Sequence, residues 1–402
     1  MIGAVTTTAP TSQRVSRVST KAARFTETVI REMTRIALQH NAVNLAQGFP
    51  DFACPPELKE AASEAIHRDI NQYAITWGAR DFREAIAAKT ARFYPNWSVD
   101  PQTDVTVTCG ATEGMIAAML ALLNPGDEVV VFEPFYENYG PDAILSGAVP
   151  RYVTLHEPDW HIDEAELRAA FGPRTRGIVL NTPHNPTGKV FTSEELAVLA
   201  GHAVDHDLLV LTDEVYEHLV FDGARHTSLA ALPRMRERTL VVSSAGKTFN
   251  VTGWKIGWIC GPAPLVSAVR TAKQFLTFVN GGPFQPAVAA GLQLPDEHFS
   301  AIARDLEYRR DVLVQGLTDA GLPVISPEAT YFATVDVRSV QPDGDGLAFC
   351  RDLPKRAGVV AIPTVVFYDP AHAHLGRHLV RFAFCKGDDV LAEAVQRLRG
   401  MS

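Results

Sequence analysis

The 402-residue sequence lacks any long apolar run. The longest, 114–123, falls far short of the roughly 20 residues that a membrane-spanning helix needs, so no transmembrane segment is expected. It also lacks a basic excess. Lysine and arginine number 37 against 46 aspartates and glutamates, a formal charge of −9, which argues against a nucleic-acid partner. Cysteine is scarce and unpatterned: Cys54, Cys109, Cys260, Cys350 and Cys385 are scattered, odd in number and never spaced as CxxC. They read as free thiols in a reducing compartment, so a cytoplasmic location is expected. No secretory apolar core opens the chain. What is present is ordinary for a folded protein, 46% hydrophobic and 21% charged residues, which excludes a disordered chain, a collagen-like fibre or a disulfide-stapled miniature.

Several familiar chemical motifs are missing too. No GxGxxG follows a strand pattern. Gly246-Lys247-Thr248 has the ending of a phosphate-binding P-loop, but Val241 stands where its first glycine belongs. His202 and His206 have the i, i+4 spacing of a zinc-protease helix, yet Ala203 replaces its glutamate. His372, His374 and His378 suit loop and strand-edge positions better than ligation. No metal site is expected.

Short aliphatic or β-branched runs at 105–108, 128–132, 177–181, 208–212 and 239–243 alternate with helix-period segments, among them 112–123 and 193–205. This rhythm predicts an α/β fold with a mainly parallel sheet covered by helices. The run 255–260 follows its predecessor too closely for a helical crossover, so it is expected to lie antiparallel. After about residue 295 the pattern becomes that of a smaller α+β unit. The expected division is a flexible N-terminal tail over 1–25 and a segment over 26–55 that packs with the small domain. A large domain over 56–295 and a small C-terminal domain over 296–402 complete it. The opening segment carries Arg14, Arg17, Lys21 and Arg24 and no acid before Glu27. A transit peptide can share that bias, but the segment lacks a clear amphipathic face.

Polar residues cluster where three strands should end, the place where open α/β sheets bind ligands. One cluster is Asn181-Thr-Pro-His-Asn185-Pro-Thr-Gly188. The second is Thr212-Asp213-Glu214-Val215-Tyr216, and the third is Ser243-Ser244-Ala245-Gly246-Lys247-Thr248. Taken singly, Asp213 and Lys247 could be a structural ion pair and the Asn-Pro-Thr-Gly run a simple turn. Together they match a known series. The chain resembles the fold-type I aminotransferases of class I/II that use pyridoxal 5′-phosphate. Within that family it is most similar to the kynurenine–oxoglutarate or glutamine transaminases and to actinobacterial N-succinyldiaminopimelate aminotransferases. The likeness runs in order from about residue 25 to 398, through 44–51 (NLAQGFPD), 71–73 (NQY), 133–136 (EPFY), 181–188, 213–216, 243–258 and 380–382 (VRF).

The resemblance implies roles residue by residue. Lys247 would hold the cofactor aldehyde as a Schiff base and move protons at the substrate Cα. Asp213 would keep the pyridine nitrogen protonated, and Tyr216 and Asn185 would bond the ring's phenolic oxygen. Gly110, Ala111 and Thr112 open an apolar helix after a strand, a ready anion site. With Ser244 and Lys255 they match the phosphate contacts. Many relatives carry arginine in place of Lys255, and lysine supplies the charge without a bidentate fork. Tyr136 matches the aromatic residue stacked on the ring. Arg381 and Gly48 match the contacts to the substrate carboxylate. A tyrosine matching Tyr73 reaches the neighbouring subunit's cofactor phosphate, so a homodimer with shared sites is expected.

The expected function is transfer of an amino group from an aromatic or large neutral amino acid, such as kynurenine, phenylalanine, methionine or glutamine. The acceptor would be a 2-oxo acid such as 2-oxoglutarate, and the chemistry ping-pong. The segments 49–52, 75–77 and 275–284 are aromatic and offer no obvious arginine for a second carboxylate. N-succinyldiaminopimelate transamination is the alternative, with Lys273 or an arginine from the neighbouring subunit as the missing cation. A β-lyase or oxidase on the same scaffold is another.

Overall fold

The computed structural model describes residues 17–25 and 29–401. Residues 1–16 of the expected N-terminal tail lie outside the described residues. Eight strands form the larger sheet, in the order Val105–Cys109, Ile256–Cys260, Thr239–Ser244, Leu209–Asp213, Thr175–Asn181, Glu128–Glu133, Val149–His156 and His161–Ile162. The five from Thr239–Ser244 to Val149–His156 pair in parallel. Every residue of Glu128–Glu133, Thr239–Ser244 and Ile256–Cys260 is buried, the condition under which strands read as unbroken apolar runs. Ile256–Cys260 lies antiparallel to both of its neighbours, as its short connection requires.

Register then does the positioning. Asn181 pairs with Asp213, Asp213 with Val242, Ser244 with Gly257, and Cys109 with Ile256. The carboxyl ends of four strands therefore form one row on one edge of the sheet. Val149–His156 is a strand that the sequence reading passed over. Its first half is alternately exposed, and Pro150 and Arg151 interrupt the aliphatic pattern; because His161–Ile162 pairs only with Leu155 and His156, this half is a sheet edge and tolerates them.

Helices flank the sheet. Ser193–Asp205 starts with a capping box: the Thr192 hydroxyl accepts from Glu195 N, and the Glu195 carboxylate accepts from Thr192 N. Gly110–Leu122 packs against the sheet and against Ala263–Lys273. None of the described helices is long and apolar enough to cross a membrane. The described cysteines are all free.

The C-terminal part builds a four-stranded antiparallel sheet in the order Val324–Ile325, Phe332–Asp336, Leu379–Ala383 and Ile362–Pro363. The N-terminal helix Val29–His40 packs on Gly346–Arg356, and Val43–Asn44 adds in parallel to Val359–Val360. One apolar cluster joins Met33 and Leu45 to Tyr331, Phe332 and Phe382, and also to Val215, Tyr216 and Phe221 after the strand Leu209–Asp213. The N-terminal segment, the small sheet and one end of the large sheet thus share a core.

Behind the row of strand ends, a buried ion pair fixes the turn after Asp213. The Glu217 carboxylate accepts from Lys89 Nζ, from Tyr94 Oη at 2.6 Å and from Ser243 Oγ at 3.1 Å. Burial alone would raise the Glu217 pKa, but the charge of Lys89, with bonds from Lys89 and Tyr94, outweighs it and holds the acid at about 2. Its folded value lies below the ordinary 4.5, so the pair's contribution is full above pH ~4.5 and is lost as pH falls toward 2. Lys89→Met leaves that carboxylate buried and unpaired. The expected outcome is a loss of about 3–5 kcal/mol, read as a lower urea midpoint at unchanged slope.

Candidate active site

Three neighbouring strand ends supply the polar floor of a cavity. Asp213 ends Leu209–Asp213 and is buried. Its Oδ2 accepts from Tyr139 Oη at 2.8 Å and its Oδ1 from Val215 N at 3.3 Å. Its carbonyl accepts from Asn181 Nδ2 at 2.8 Å. Burial raises the Asp213 pKa to about 6 despite the bonds from Tyr139 and Val215, which lower it. A cation placed against this carboxylate would restore its charge. Asn181 also orients the next turn, its Oδ1 accepting from Asn185 N at 2.7 Å. Tyr216 is buried, edge-on to Tyr331 with 5.2 Å between ring centroids, and burial pushes its phenol well up.

Lys247 lies in the short helix Ala245–Thr248 directly after the strand Thr239–Ser244. Its Nζ donates to Tyr331 Oη at 2.7 Å and to the Gly48 carbonyl at 3.3 Å. Burial lowers the Lys247 pKa to about 8, well below that of a free lysine amine. Among the described residues no ion pair joins Lys247 to Asp213. The structural ion pair weighed from sequence is not formed.

The opposite end of the cavity is cationic. The strand Val105–Cys109 runs directly into the helix Gly110–Leu122, whose Cys109 cap supplies no side-chain acceptor. Gly110 has φ +69°, and a Cβ there would stand 3.2 Å from Lys255 Nζ. Gly257 allows the neighbouring strand to pass this close, because a Cβ on it would sit 2.5 Å from the Gly110 carbonyl carbon. First-turn N–H groups at Ala111 and Thr112, the Lys255 ammonium and the Ser244 and Thr252 hydroxyls face one space. This is a donor set for a phosphate ester. Asp213, Tyr136 and Lys247 line the same cavity, so the residues fit pyridoxal phosphate in both charge and donor type.

Arg381 approaches from the small sheet. It lies in Leu379–Ala383, paired with Thr334 on one side and Ile362 on the other, and is 3% exposed. Its Nη1 donates to Asn185 Oδ1 at 2.9 Å and its Nη2 to the Ala46 carbonyl at 3.3 Å. Its Nε has no hydrogen-bond partner among the described residues. The guanidinium lies 4.0 Å from the ring centre of Phe332 and 4.7 Å from that of Phe367. No carboxylate pairs with it among the described residues. Burial lowers its pKa to about 10, which leaves it charged.

Ten of the residues expected from sequence line this one cavity: Gly110, Ala111, Thr112, Tyr136, Asn185, Asp213, Tyr216, Ser244, Lys247 and Lys255. Gly48 and Arg381 join it through hydrogen bonds to Lys247 and Asn185. Tyr73 does not. It is 81% exposed and edge-on to Phe278 at 5.4 Å. Tyr139, Asn181 and Tyr331 belong to the site without having been assigned to it from sequence. Asn181 heads the recognised turn and could have been found there. Tyr139 and Tyr331 meet their partners only through tertiary structure. No group of three or more metal-ligating side chains occurs among the described residues.

Comparison with known proteins bears on the family. Residues 40–398 match the model of the family "Aminotransferase class I and II". A probable N-succinyldiaminopimelate aminotransferase, DapC, of Mycobacterium tuberculosis is 49% identical over 383 residues, covering 93% of this chain and 96% of its own. The methionine aminotransferase of Escherichia coli is 41% identical over 372 residues, covering 92% and 95%. The solved structure of N-succinyldiaminopimelate aminotransferase from Mycobacterium tuberculosis superposes with a TM-score of 0.93 at 47% identity, covering 96% of this chain and 100% of that one.

Proposed function

The chain belongs to the class I and II aminotransferases and is a pyridoxal-phosphate-dependent enzyme of fold type I, and from that premise we propose which residues act and on what. When bound, the cofactor supplies an electron sink that stabilises negative charge at the substrate Cα. Lys247 is the residue that carries it and shuttles the Cα proton, a role supported by an amine whose pKa burial lowers to about 8. Asp213 would hold the pyridine nitrogen, and Tyr216 and Asn185 the ring oxygen. Tyr136 would pack against the ring, while Gly110, Ala111, Thr112, Ser244 and Lys255 would hold the phosphate.

The observation that carries the substrate reading is Arg381. A buried guanidinium with an unpaired Nε and no acid partner is costly until a carboxylate arrives. It therefore recognises the α-carboxylate of the donor and of the 2-oxo acceptor, with Gly48 beside it. We favour large neutral or aromatic donors, with 2-oxoglutarate as acceptor. Lys273, a candidate for a second carboxylate, has its Nζ committed to the carbonyls of Thr76 at 2.8 Å and Phe278 at 2.9 Å. It holds a loop together. The 41% likeness to a methionine aminotransferase agrees with a neutral donor. The 49% identity to the DapC protein supports a second reading, N-succinyldiaminopimelate as donor, with its extra carboxylates met by a partner subunit.

A homodimer accompanies this assignment. Tyr73, Phe275 and Phe278 are 81%, 81% and 45% exposed, an aromatic surface suited to a second copy, and Tyr73 would serve the opposite site. A fully active monomer in sedimentation equilibrium at assay concentration would overturn it. A cytoplasmic location is supported by the five free thiols.

Lys247→Ala is expected to abolish transamination and the visible absorbance of lysine-bound cofactor. A donor panel at fixed 2-oxoglutarate then separates the substrate readings. Methionine, phenylalanine, glutamine or kynurenine should lead. A tenfold or greater advantage for N-succinyldiaminopimelate would favour the second reading, and pyruvate release without an acceptor would point to a β-lyase.

A further inference from the structure

Tyr331 is fully buried, and nothing in its local sequence marks it for function. It follows Thr330, a β-branched residue held at φ +71°, where such side chains are outliers that persist only under surrounding constraint. That constraint is visible. Thr330 N donates to the Leu219 carbonyl at 2.9 Å, and its hydroxyl accepts from Phe332 N at 3.3 Å. The strained turn delivers the Tyr331 phenol to a place where two parts of the site meet. Its Oη accepts from Lys247 Nζ at 2.7 Å and donates to the Gly48 carbonyl at 2.6 Å, and Lys247 Nζ itself lies 3.3 Å from that carbonyl. Gly48 lies flat on the ring, since a Cβ there would come within 2.8 Å of Tyr331 Cε2 and 2.3 Å of Phe332 Cζ.

We propose that Tyr331 is a positioning residue that couples the state of Lys247 to the segment around Gly48. A free Lys247 amine, the Tyr331 hydroxyl and the Gly48 carbonyl close a hydrogen-bonded triangle that draws this segment onto the site. An amine engaged by the cofactor cannot keep both of its bonds, and the segment loosens. The same segment is tied to the substrate-binding arginine through the Ala46 carbonyl and Arg381 Nη2. Occupation of Arg381 and release of the lysine therefore act on one stretch of backbone. The other charged or titratable groups near the amine are Cys385, Asp213, Arg381 and Lys255, with the Tyr216 ring centre 5.7 Å away. None of them reaches Gly48 through a hydrogen bond among the described residues.

The coupling rests on Lys247 being the cofactor-bearing lysine, and its test separates the two claims. Full-length enzyme is loaded either with pyridoxal 5′-phosphate or with pyridoxamine 5′-phosphate, whose amine replaces the aldehyde and leaves Lys247 free. No amino donor is needed. Hydrogen exchange of the amides in 45–51 is followed by mass spectrometry in both forms. The expected result is exchange about fivefold slower in the pyridoxamine form, with the difference reduced below about twofold in Tyr331→Phe, which keeps the ring packed on Gly48. Equal exchange in the two wild-type forms overturns the coupling without any variant. So does a Tyr331→Phe enzyme that retains the full difference. Absence of the lysine-bound visible absorbance in the pyridoxal form would instead strike the assignment of Lys247.

Discussion

A guanidinium buried without a carboxylate is the constraint around which this molecule is arranged. Arg381 keeps its charge although burial lowers its pKa to about 10, and an isolated buried charge costs several kcal/mol, roughly. What makes it tolerable comes from three separate parts of the chain. Asn185 reaches it from the large sheet and the Ala46 carbonyl from the N-terminal segment, while Phe332 and Phe367 sandwich it within the C-terminal part. Phe367 is tied back in turn, its carbonyl accepting from Phe135 N at 2.7 Å, next to Tyr136. The shared core that joins the N-terminal helix, the small sheet and the turn after Asp213 makes sense as the scaffold that brings these parts to one side chain. The residual deficit is what a carboxylate ligand removes, and binding energy of this kind also organises the site.

The cavity itself shows the same economy of charge. One end presents a helix N-terminus with Lys255, the other a carboxylate that burial has pushed to about 6. A ligand anionic at one end and cationic at the other relieves both. Lys247 lines the same cavity with its pKa lowered to about 8, close to the value at which an amine exchanges protons efficiently at neutral pH. These perturbations share one cause, exclusion from water, and each is shaped by the particular partner at hand: Tyr139 for Asp213, Tyr331 and Gly48 for Lys247.

Much of this was legible in the sequence because it depends on local pattern. Runs such as 129–132 and 240–242 are apolar throughout, as the middles of strands buried on both faces are, and the short link before Ile256–Cys260 sets its direction. Polar residues at the carboxyl ends of those strands located the site, and the family likeness ordered them. What was not legible depends on meetings across the fold. Tyr331 lies 84 residues from Lys247 and Tyr139 lies 74 from Asp213, so no spacing rule could pair them. Val149–His156 hid behind Pro150 and Arg151. Lys273 looked like a spare cation until its amine was found spanning two carbonyls, a use of charge that sequence does not display.

The central claim is that Arg381 is held buried and incompletely bonded in order to receive the substrate carboxylate. The most direct measurement is the half-reaction of Arg381→Met with whichever amino donor the wild-type enzyme turns over fastest, followed by the cofactor's absorbance. The account predicts that kcat/KM falls by at least about 100-fold, about 2.7 kcal/mol of lost transition-state binding. The lysine-bound cofactor spectrum before donor is added should be unchanged. A variant whose kcat/KM stays within about threefold of wild type would contradict it.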